Sequence, residues 1–172
     1  RRAAERINAF LGGRRPFDCI QVEVSSRCPG RCIYCPYTTL KDRWQARDMD
    51  ITTFGRIWPL MRKSGRVHLQ GWGEPLLNPA FFEMAALARK AGCQVSSTTC
   101  GLRMDPELAL RIVESGLDIV AFSLAGADAA GCVPAAPMAS EVAAIRQASR
   151  RFRESGKCRE AMSSILKTNV RN

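Results

Sequence analysis

The sequence lacks any long run of apolar residues and therefore predicts no membrane-spanning helix. Its first residues, RRAAERINAFLGG, are basic but are not followed by the apolar segment of a signal peptide, which argues against secretion and predicts a cytoplasmic protein. Cytosolic thiols stay reduced, so the eight cysteines favour metal chemistry over a disulfide framework. With 172 residues, 46% of them hydrophobic, the chain has enough material for one domain with its own core.

Acidic residues are scarce relative to basic ones: 16 Asp and Glu against 26 Lys and Arg give a net charge of +10. Such a balance raises nucleic acid as a partner. However, the basic residues are spread along predicted helices, as in RQASRRFRES at 146–155, and the sequence contains no basic motif interleaved with aromatic residues. It therefore favours a solvated helix face over a nucleic-acid interface, while an anionic substrate or a phosphate-bearing partner stays open.

A fourth metal ligand is missing beside the one dense group of cysteines. Cys28, Cys32 and Cys35 form a C-x3-C-x2-C pattern in SRCPGRCIYCPY, with an aromatic residue before the last cysteine. A structural zinc site normally gathers four ligands from neighbouring positions, yet the next cysteine is Cys93 and the only histidine is His68. The pattern predicts a metal site that the protein leaves incomplete.

Helix and strand signals alternate along the chain. Three segments end a predicted helix on a glycine (Gly65, Gly92 and Gly116) and continue into a short apolar strand and a loop of small residues. Asn78 and Asp105, each followed by a proline, are typical helix N-caps. The order is a first strand, the cysteine loop, a helix and then repeated strand–helix units. This order predicts a parallel α/β barrel or part of one, with its chemistry at the carboxyl ends of the strands.

From residue 20 to residue 124 the chain resembles the radical S-adenosylmethionine (radical SAM) enzymes, with the cysteine pattern directly after the first strand. In that family three thiolates hold a [4Fe–4S] cluster, and the fourth iron binds S-adenosylmethionine. The resemblance assigns Cys28, Cys32 and Cys35 to this role, because four protein thiolates would close the cluster whereas three leave an iron open. The reduced cluster cleaves the cofactor to methionine and a 5′-deoxyadenosyl radical, which abstracts hydrogen from a substrate.

The resemblance also implies the domain organisation. Residues 1–172 would form one radical SAM core domain, with a leading helix at 1–16 and βα units over 17–172. The expected fold is α/β, a partial parallel (β/α)6-type barrel with about five strands, the fifth in ILKTNVRN. The core is expected to be incomplete at its C-terminus, and relatives of this style often carry a C-terminal accessory domain of the SPASM or twitch type.

Further cofactor-binding residues follow from the resemblance. The family's Gly-Gly-Glu turn corresponds to GWGEP, where glycines let the backbone approach a ligand and the carboxylate would accept from the cofactor's ammonium group. In the next loop, STTCG, Cys100 stands where the family often has asparagine. FSLAG then ends the fourth strand. The cofactor-binding residues implied are Tyr34, Gly71, Trp72, Gly73, Glu74, Pro75, Thr98, Thr99 and Ser123.

Other reactive residues receive a structural interpretation. His68 has no evident partner and is expected to be a packed core imidazole. The loop at 125–140 has no basic residue, although relatives commonly carry an arginine there, near the cofactor carboxylate. Four scattered cysteines lack ligand spacing and are expected to be buried and inert: Cys19, Cys93, Cys132 and Cys158.

The predicted function is that of a radical SAM enzyme with two cofactors, a [4Fe–4S] cluster and S-adenosylmethionine. A peptide, a protein or a small-molecule cofactor precursor is favoured as substrate, with flavodoxin or ferredoxin as the kind of electron donor. Two alternatives stay open: a non-catalytic zinc- or cluster-binding module, and a radical SAM enzyme that modifies RNA.

Overall fold

The computed structural model describes residues 15–101 and 104–123, together with residues 143, 146, 147 and 150. Four strands form one sheet in the order β1-β2-β3-β4, and every neighbouring pair is parallel. This confirms the predicted parallel α/β class. The strands are β1 (Phe17–Val22), β2 (Ser64–Leu69), β3 (Gln94–Thr99) and β4 (Ile119–Phe122).

Helices connect the strands and cover one face of the sheet. Two short 3-10 turns, at Lys41–Arg43 and Pro75–Leu77, accompany them. Within the described residues, no helix is long and apolar enough to cross a membrane. The helices are α1 (Pro36–Thr39), α2 (Ile51–Gly55), α3 (Trp58–Met61), α4 (Phe81–Lys90) and α5 (Pro106–Glu114).

The two predicted N-caps have different outcomes. Asp105 caps α5 as predicted, since its carboxylate accepts from the Leu108 N–H at 2.7 Å. Asn78 lies two residues before Ala80, the N-cap of α4, and its Oδ1 accepts from the Ala80 N–H at 2.8 Å, so it supports the start of the helix without being the N-cap itself. Its buried amide nitrogen also donates to the carbonyl oxygens of Val24 (2.6 Å) and Met49 (2.9 Å). The side chain therefore joins the start of α4 to two other segments, and both polar atoms of the buried amide are hydrogen-bonded.

Two of the three glycines predicted to end helices do so, and the third does not. Gly92 and Gly116 have φ values of 84° and 72° just past α4 and α5, the left-handed conformation expected after a helix. The prediction for Gly65 is wrong, because it lies inside β2. A Cβ there would come within 3.2 Å of the Asp18 carbonyl oxygen, so close packing against β1 accounts for this glycine.

The two faces of the sheet differ in chemistry. Val67, Leu69 and Val95 are fully buried on one face, where they pack with Phe81 of α4 and Ile112 of α5. Buried apolar surface of this kind supplies most of the stability of such a layer. The opposite face carries polar side chains.

His68 lies on the polar face, so its predicted place as a packed core imidazole is wrong. It is half-buried, with Nδ1 2.8 Å from Ser96 Oγ and Nε2 2.5 Å from Gln70 Oε1. The reason is strand alternation: Val67 and Leu69 on either side fill the core, so the residue between them must face the other way.

Several predictions concern residues outside the described ranges. These are most of the leading helix at 1–16, the fifth strand, and two cysteines, Cys132 and Cys158. Of the other two scattered cysteines, Cys93 is buried as predicted, whereas the predicted burial of Cys19 is wrong, because it is exposed on β1. Arg15 and Pro16 are described and are not helical. The leading helix and the βα units after β4 therefore stay predictions.

Candidate functional site

A single pocket of about 170 Å³ lies at the carboxyl ends of the strands and brings the cysteine triplet together with the glycine turn. Most of the sequence-predicted site residues line it, and two others, Gln70 and Cys100, join them. This placement agrees with the rule that parallel α/β proteins build sites where their strands end. The lining residues are Cys28, Cys32, Tyr34, Cys35, Gln70, Gly71, Trp72, Gly73, Glu74, Thr98, Cys100 and Ser123.

Arg27 ties the cysteine loop to the rest of the site. Its guanidinium donates to the Leu77 carbonyl oxygen at 2.7 Å and forms an ion pair with Asp48. Its own carbonyl accepts from the Glu74 N–H at 2.7 Å. The residue directly before Cys28 is therefore bonded on both sides, which sets the position of the first thiol.

Backbone hydrogen bonds shape the loop itself. The Gly30 N–H donates to Cys28 Sγ at 3.3 Å, and the Cys35 N–H donates to the Cys32 carbonyl oxygen at 3.1 Å. A Cβ at Gly30 would lie 3.3 Å from Cys28 Sγ and 3.7 Å from Cys32 Sγ. The absence of a side chain on Gly30 thus leaves room around both sulfur atoms.

The pKa of the Cys28 thiol is lowered by its neighbours. A hydrogen bond with the Cys100 side chain is the largest influence and, with the Gly30 N–H, lowers the pKa of Cys28 to about 7, against the opposing effects of burial and the Glu74 charge. Cys93, which is buried against the Met61 carbonyl oxygen, shows the opposite behaviour: burial raises the pKa of its thiol.

This difference predicts selective alkylation of the cluster-free protein. At pH 7 about half of Cys28 should be thiolate, against a few per cent of an ordinary cysteine, so iodoacetamide should label Cys28 at a lower pH than an ordinary thiol requires. The extent of labelling, read by peptide mass spectrometry over a pH series, should have its midpoint near pH 7. Cys93 is the internal control and should stay unlabelled until the protein unfolds. A Cys28 midpoint at the ordinary thiol value would contradict the prediction.

The glycine turn packs directly on the segment that leads to Cys28. A Cβ on Gly73 would overlap the Ser25 carbonyl oxygen and lie 2.7 Å from Ser26 Cα, and both are backbone atoms that cannot move aside cheaply. A Cβ on Gly71 would instead meet the exposed side chain of Glu23. Both glycines let neighbouring atoms approach closely, but a side chain at Gly73 would cost more than one at Gly71.

We expect Gly73→Ala to lower the free energy of unfolding by about 3 kcal/mol, because overpacking against rigid backbone forces the turn away from the cysteine loop. The matched variant Gly71→Ala should cost about 1 kcal/mol, since the exposed Glu23 side chain can rotate into solvent at the loss of its hydrogen bond from the Trp72 N–H. Denaturant unfolding of both variants measures the difference. Equal losses would show that the turn does not rest on the cysteine loop as described.

Glu74 is a buried carboxylate, 3% exposed, whose hydrogen bonds lie within the protein. Its Oε1 accepts from the Thr99 hydroxyl at 2.8 Å and the Leu76 N–H at 3.2 Å, and its Oε2 accepts from the Cys100 N–H at 2.7 Å. It thus joins the end of β2 to the end of β3. A carboxylate offers about four acceptor positions, and donors in the described part of the chain fill three of them.

The remaining predicted residues fall into three groups. Trp72 and Tyr34 are 58% and 64% exposed at the mouth of the pocket, and Thr98 and Ser123 belong to its wall. Thr99 is buried behind the wall and reaches the site through Glu74. Pro75 does not line the pocket: it is buried at the start of a 3-10 turn and shapes the backbone after the glycines.

The donor set of the pocket fits an iron–sulfur cluster. Three thiols from one loop face a common space, and thiolates are the ligands that iron–sulfur clusters use. Within the described residues, no three side chains of His, Cys, Asp or Glu surround a single point closely enough to hold one metal ion. A cluster spans several ångströms, so its thiolates attach to separate irons and do not converge on one point.

Cys100 and Gln70 are the site residues that sequence reasoning did not assign to the cofactor. In the sequence Cys100 stands out only as a departure from the family's asparagine, and its contact with Cys28 joins residues 72 positions apart. Gln70 precedes the glycine turn on the polar face of β2, and the alternation of polar residues at 66, 68 and 70 was the signal that could have identified it.

This chain aligns with only part of the length of the curated proteins that it resembles. The tungsten-containing aldehyde ferredoxin oxidoreductase cofactor-modifying protein of Pyrococcus furiosus is 30% identical over 110 residues, 61% of this chain and 30% of the relative. A GTP 3′,8-cyclase of Synechococcus is 34% identical over 122 residues, 67% and 34%. A PqqA peptide cyclase of Gluconobacter oxydans is 30% identical over 131 residues, 72% and 36%. The chain spans about a third of the length of these relatives.

Solved structures share the fold. Methylornithine synthase (PylB) superposes with a TM-score of 0.58 at 17% identity, over 84% of this chain and 44% of that one. BtrN, crystallised with AdoMet and 2-DOIA, gives a TM-score of 0.56 at 24% identity, over 65% and 48%. The sequence model described as the radical SAM superfamily matches residues 22–164. With that match over most of its length, this chain belongs to the radical SAM superfamily, whose enzymes use a [4Fe–4S] cluster and S-adenosylmethionine.

Proposed function

We propose that this chain is the core of a radical SAM enzyme that generates a 5′-deoxyadenosyl radical and uses it to abstract hydrogen from a substrate. The observation that carries the proposal is that the three thiols of the cysteine loop and the glycine turn line the same pocket. The cysteine loop and the glycine turn are at least 36 residues apart in the sequence, and the fold brings them to the same pocket. The cytoplasm is the proposed location, because reduced thiols are needed to take up a cluster.

In this proposal Cys28, Cys32 and Cys35 are the ligands of the [4Fe–4S] cluster. When bound, the cluster supplies one electron to the sulfonium of S-adenosylmethionine, and a carbon–sulfur bond breaks to give methionine and the radical. The low pKa of Cys28 favours the thiolate that a metal ligand must be. The Gly30 N–H and Arg27 hold the loop in its open shape and leave one side of the site to the cofactor.

The cofactor's methionine moiety is proposed to bind against the glycine turn. Gly71 and Gly73 expose backbone there, and the carboxylate of Glu74, which also lines the pocket, suits an ammonium group. Thr98 and Ser123 offer hydroxyls from the ends of β3 and β4. Further members of the proposed site are the two exposed aromatic residues at the mouth and two supporting residues behind the wall: Tyr34, Trp72, Pro75 and Thr99.

A peptide, a protein or a cofactor precursor is the proposed substrate, and a flavodoxin or ferredoxin the proposed electron donor. Relatives named for a peptide substrate and for a nucleotide support this range. The exposed side chains of Tyr34 and Trp72 would give such a substrate an apolar surface to contact.

The test is anaerobic reconstitution of the protein with iron and sulfide, followed by S-adenosylmethionine and dithionite. We expect a brown protein with about four irons per chain and formation of 5′-deoxyadenosine, measured by chromatography. Cys35→Ala is the matched negative control. A colourless protein that binds one zinc ion would overturn the proposal and favour a zinc-binding module. Salt-dependent retention on RNA by an otherwise active protein would instead place RNA among its substrates.

A further inference from the structure

Cys100 is held rigidly in the wall of the pocket. It follows β3 directly, and its N–H donates to Glu74 Oε2 at 2.7 Å. The next residue, Gly101, has a φ of 74° and donates its N–H to Thr99 Oγ1 at 3.0 Å. The peptide is therefore bonded on both sides of Cys100, and the backbone turn directs this residue to the pocket that the three loop cysteines line.

The thiol of Cys100 contacts the cysteine loop. Its side chain shares a hydrogen bond with Cys28, although the two residues belong to different loops. The other described cysteines outside the triplet do not line this pocket: Cys19 is exposed on β1, and Cys93 is buried against the Met61 carbonyl oxygen. A fourth cysteine thus lines the same pocket, from the end of β3.

We propose that Cys100 is a fourth, displaceable thiolate ligand of the cluster, occupying the open iron until S-adenosylmethionine binds. The inference rests on the proposed function. Thiolate is a soft ligand suited to cluster iron, and the fixed peptide presents it at low entropic cost. On ligation the Cys100 side chain gives up its hydrogen bond with Cys28, because thiolates on separate irons lie farther apart than two hydrogen-bonded thiols. The thiol releases its proton to solvent, and its sulfur replaces a water molecule on iron. Cofactor binding reverses this exchange, and no electron is gained or lost.

Two consequences can be measured. A cluster iron that carries a protein thiolate is retained under mild oxidation, whereas an iron without one is lost and leaves a three-iron cluster. The cofactor must also displace the thiolate. If Cys100 occupies the iron in about nine molecules of ten, removing it should tighten the apparent cofactor affinity by roughly tenfold.

The experiment compares the wild-type protein with Cys100→Ala, Cys100→Ser and Cys19→Ala, each reconstituted anaerobically. Electron paramagnetic resonance after ferricyanide treatment counts three-iron clusters, and equilibrium dialysis measures binding of S-adenosylmethionine. Cys100→Ser separates two roles, because a serine hydroxyl can still donate to Cys28 but is a poor ligand for cluster iron. Circular dichroism establishes that each variant is folded. If Cys100→Ala does not fold, Cys100→Ser takes its place in the comparison.

We expect both Cys100 variants to form three-iron clusters readily and to bind the cofactor about tenfold more tightly, while Cys19→Ala matches the wild type. If Cys100→Ser behaves like the wild type, the thiol acts through its hydrogen bond to Cys28 and the proposal is overturned. Equal oxidation and affinity in all four proteins overturn it too, with the proposed function intact. Failure of the wild type to take up any cluster would overturn the proposed function itself.

Discussion

Replacing any one of Cys28, Cys32 or Cys35 by alanine should abolish assembly of the iron–sulfur cluster. All three cysteines line the same pocket, and the loop between them leaves room around the sulfur atoms. With only two thiolates in the loop, one iron of the cluster loses its protein ligand, together with the negative charge and the tetrahedral position that this ligand supplies. Iron and sulfide analysis, together with visible absorbance after anaerobic reconstitution, should fall to the level of the unreconstituted protein.

Two other cysteines are the controls for this result. Cys19→Ala and Cys93→Ala should keep full iron content, because neither residue lines the pocket. Cys93→Ala should lose some stability, since the buried thiol donates to the Met61 carbonyl oxygen at 3.0 Å. Cys100→Ala should also keep a cluster. Loss of the cluster in Cys100→Ala as complete as in the triplet variants would indicate a closed four-thiolate site, and the open-iron chemistry would fail.

Glu74→Ala should lower the free energy of unfolding by about 3 kcal/mol and weaken binding of S-adenosylmethionine. The substitution leaves three donors without their acceptor: the Thr99 hydroxyl and the N–H groups of Leu76 and Cys100. Two of the residues involved, Glu74 and Thr99, are almost fully buried, so water cannot replace the carboxylate there. Each buried group left unsatisfied costs about 1–3 kcal/mol, and the loop relaxes to recover part of the sum.

The isosteric variant Glu74→Gln separates stability from cofactor binding. It keeps an oxygen for Thr99 but turns an amide toward another donor, and it removes the charge that would meet the ammonium group. We expect intact iron content, a smaller loss of stability and roughly tenfold weaker cofactor binding. Glu114→Gln, on the exposed surface of α5, is the matched control. Cofactor titrations that coincide for Glu74→Gln and the wild type would remove Glu74 from the binding site.

Local features of the fold could be predicted because they depend on residues close in sequence. Asp105 caps α5 from its own side chain, and Gly92 and Gly116 take the left-handed conformation that ends a helix. The same short-range logic failed at Gly65. Its constraint comes from the Asp18 carbonyl oxygen on a neighbouring strand, which no local pattern encodes.

The sequence by itself determined the family, the alternation of strands and helices, and the cysteine loop with its glycine turn, because these are carried by short motifs at regular spacing. Only the tertiary structure decided which side chains share the pocket. The parallel register sets Leu69 beside Ser97, so the loops after β2 and β3 start side by side. Glu74 then reaches Cys100, and Cys100 reaches Cys28, through contacts between residues far apart in the chain. Such contacts follow from strand pairing and burial, which a single sequence does not display.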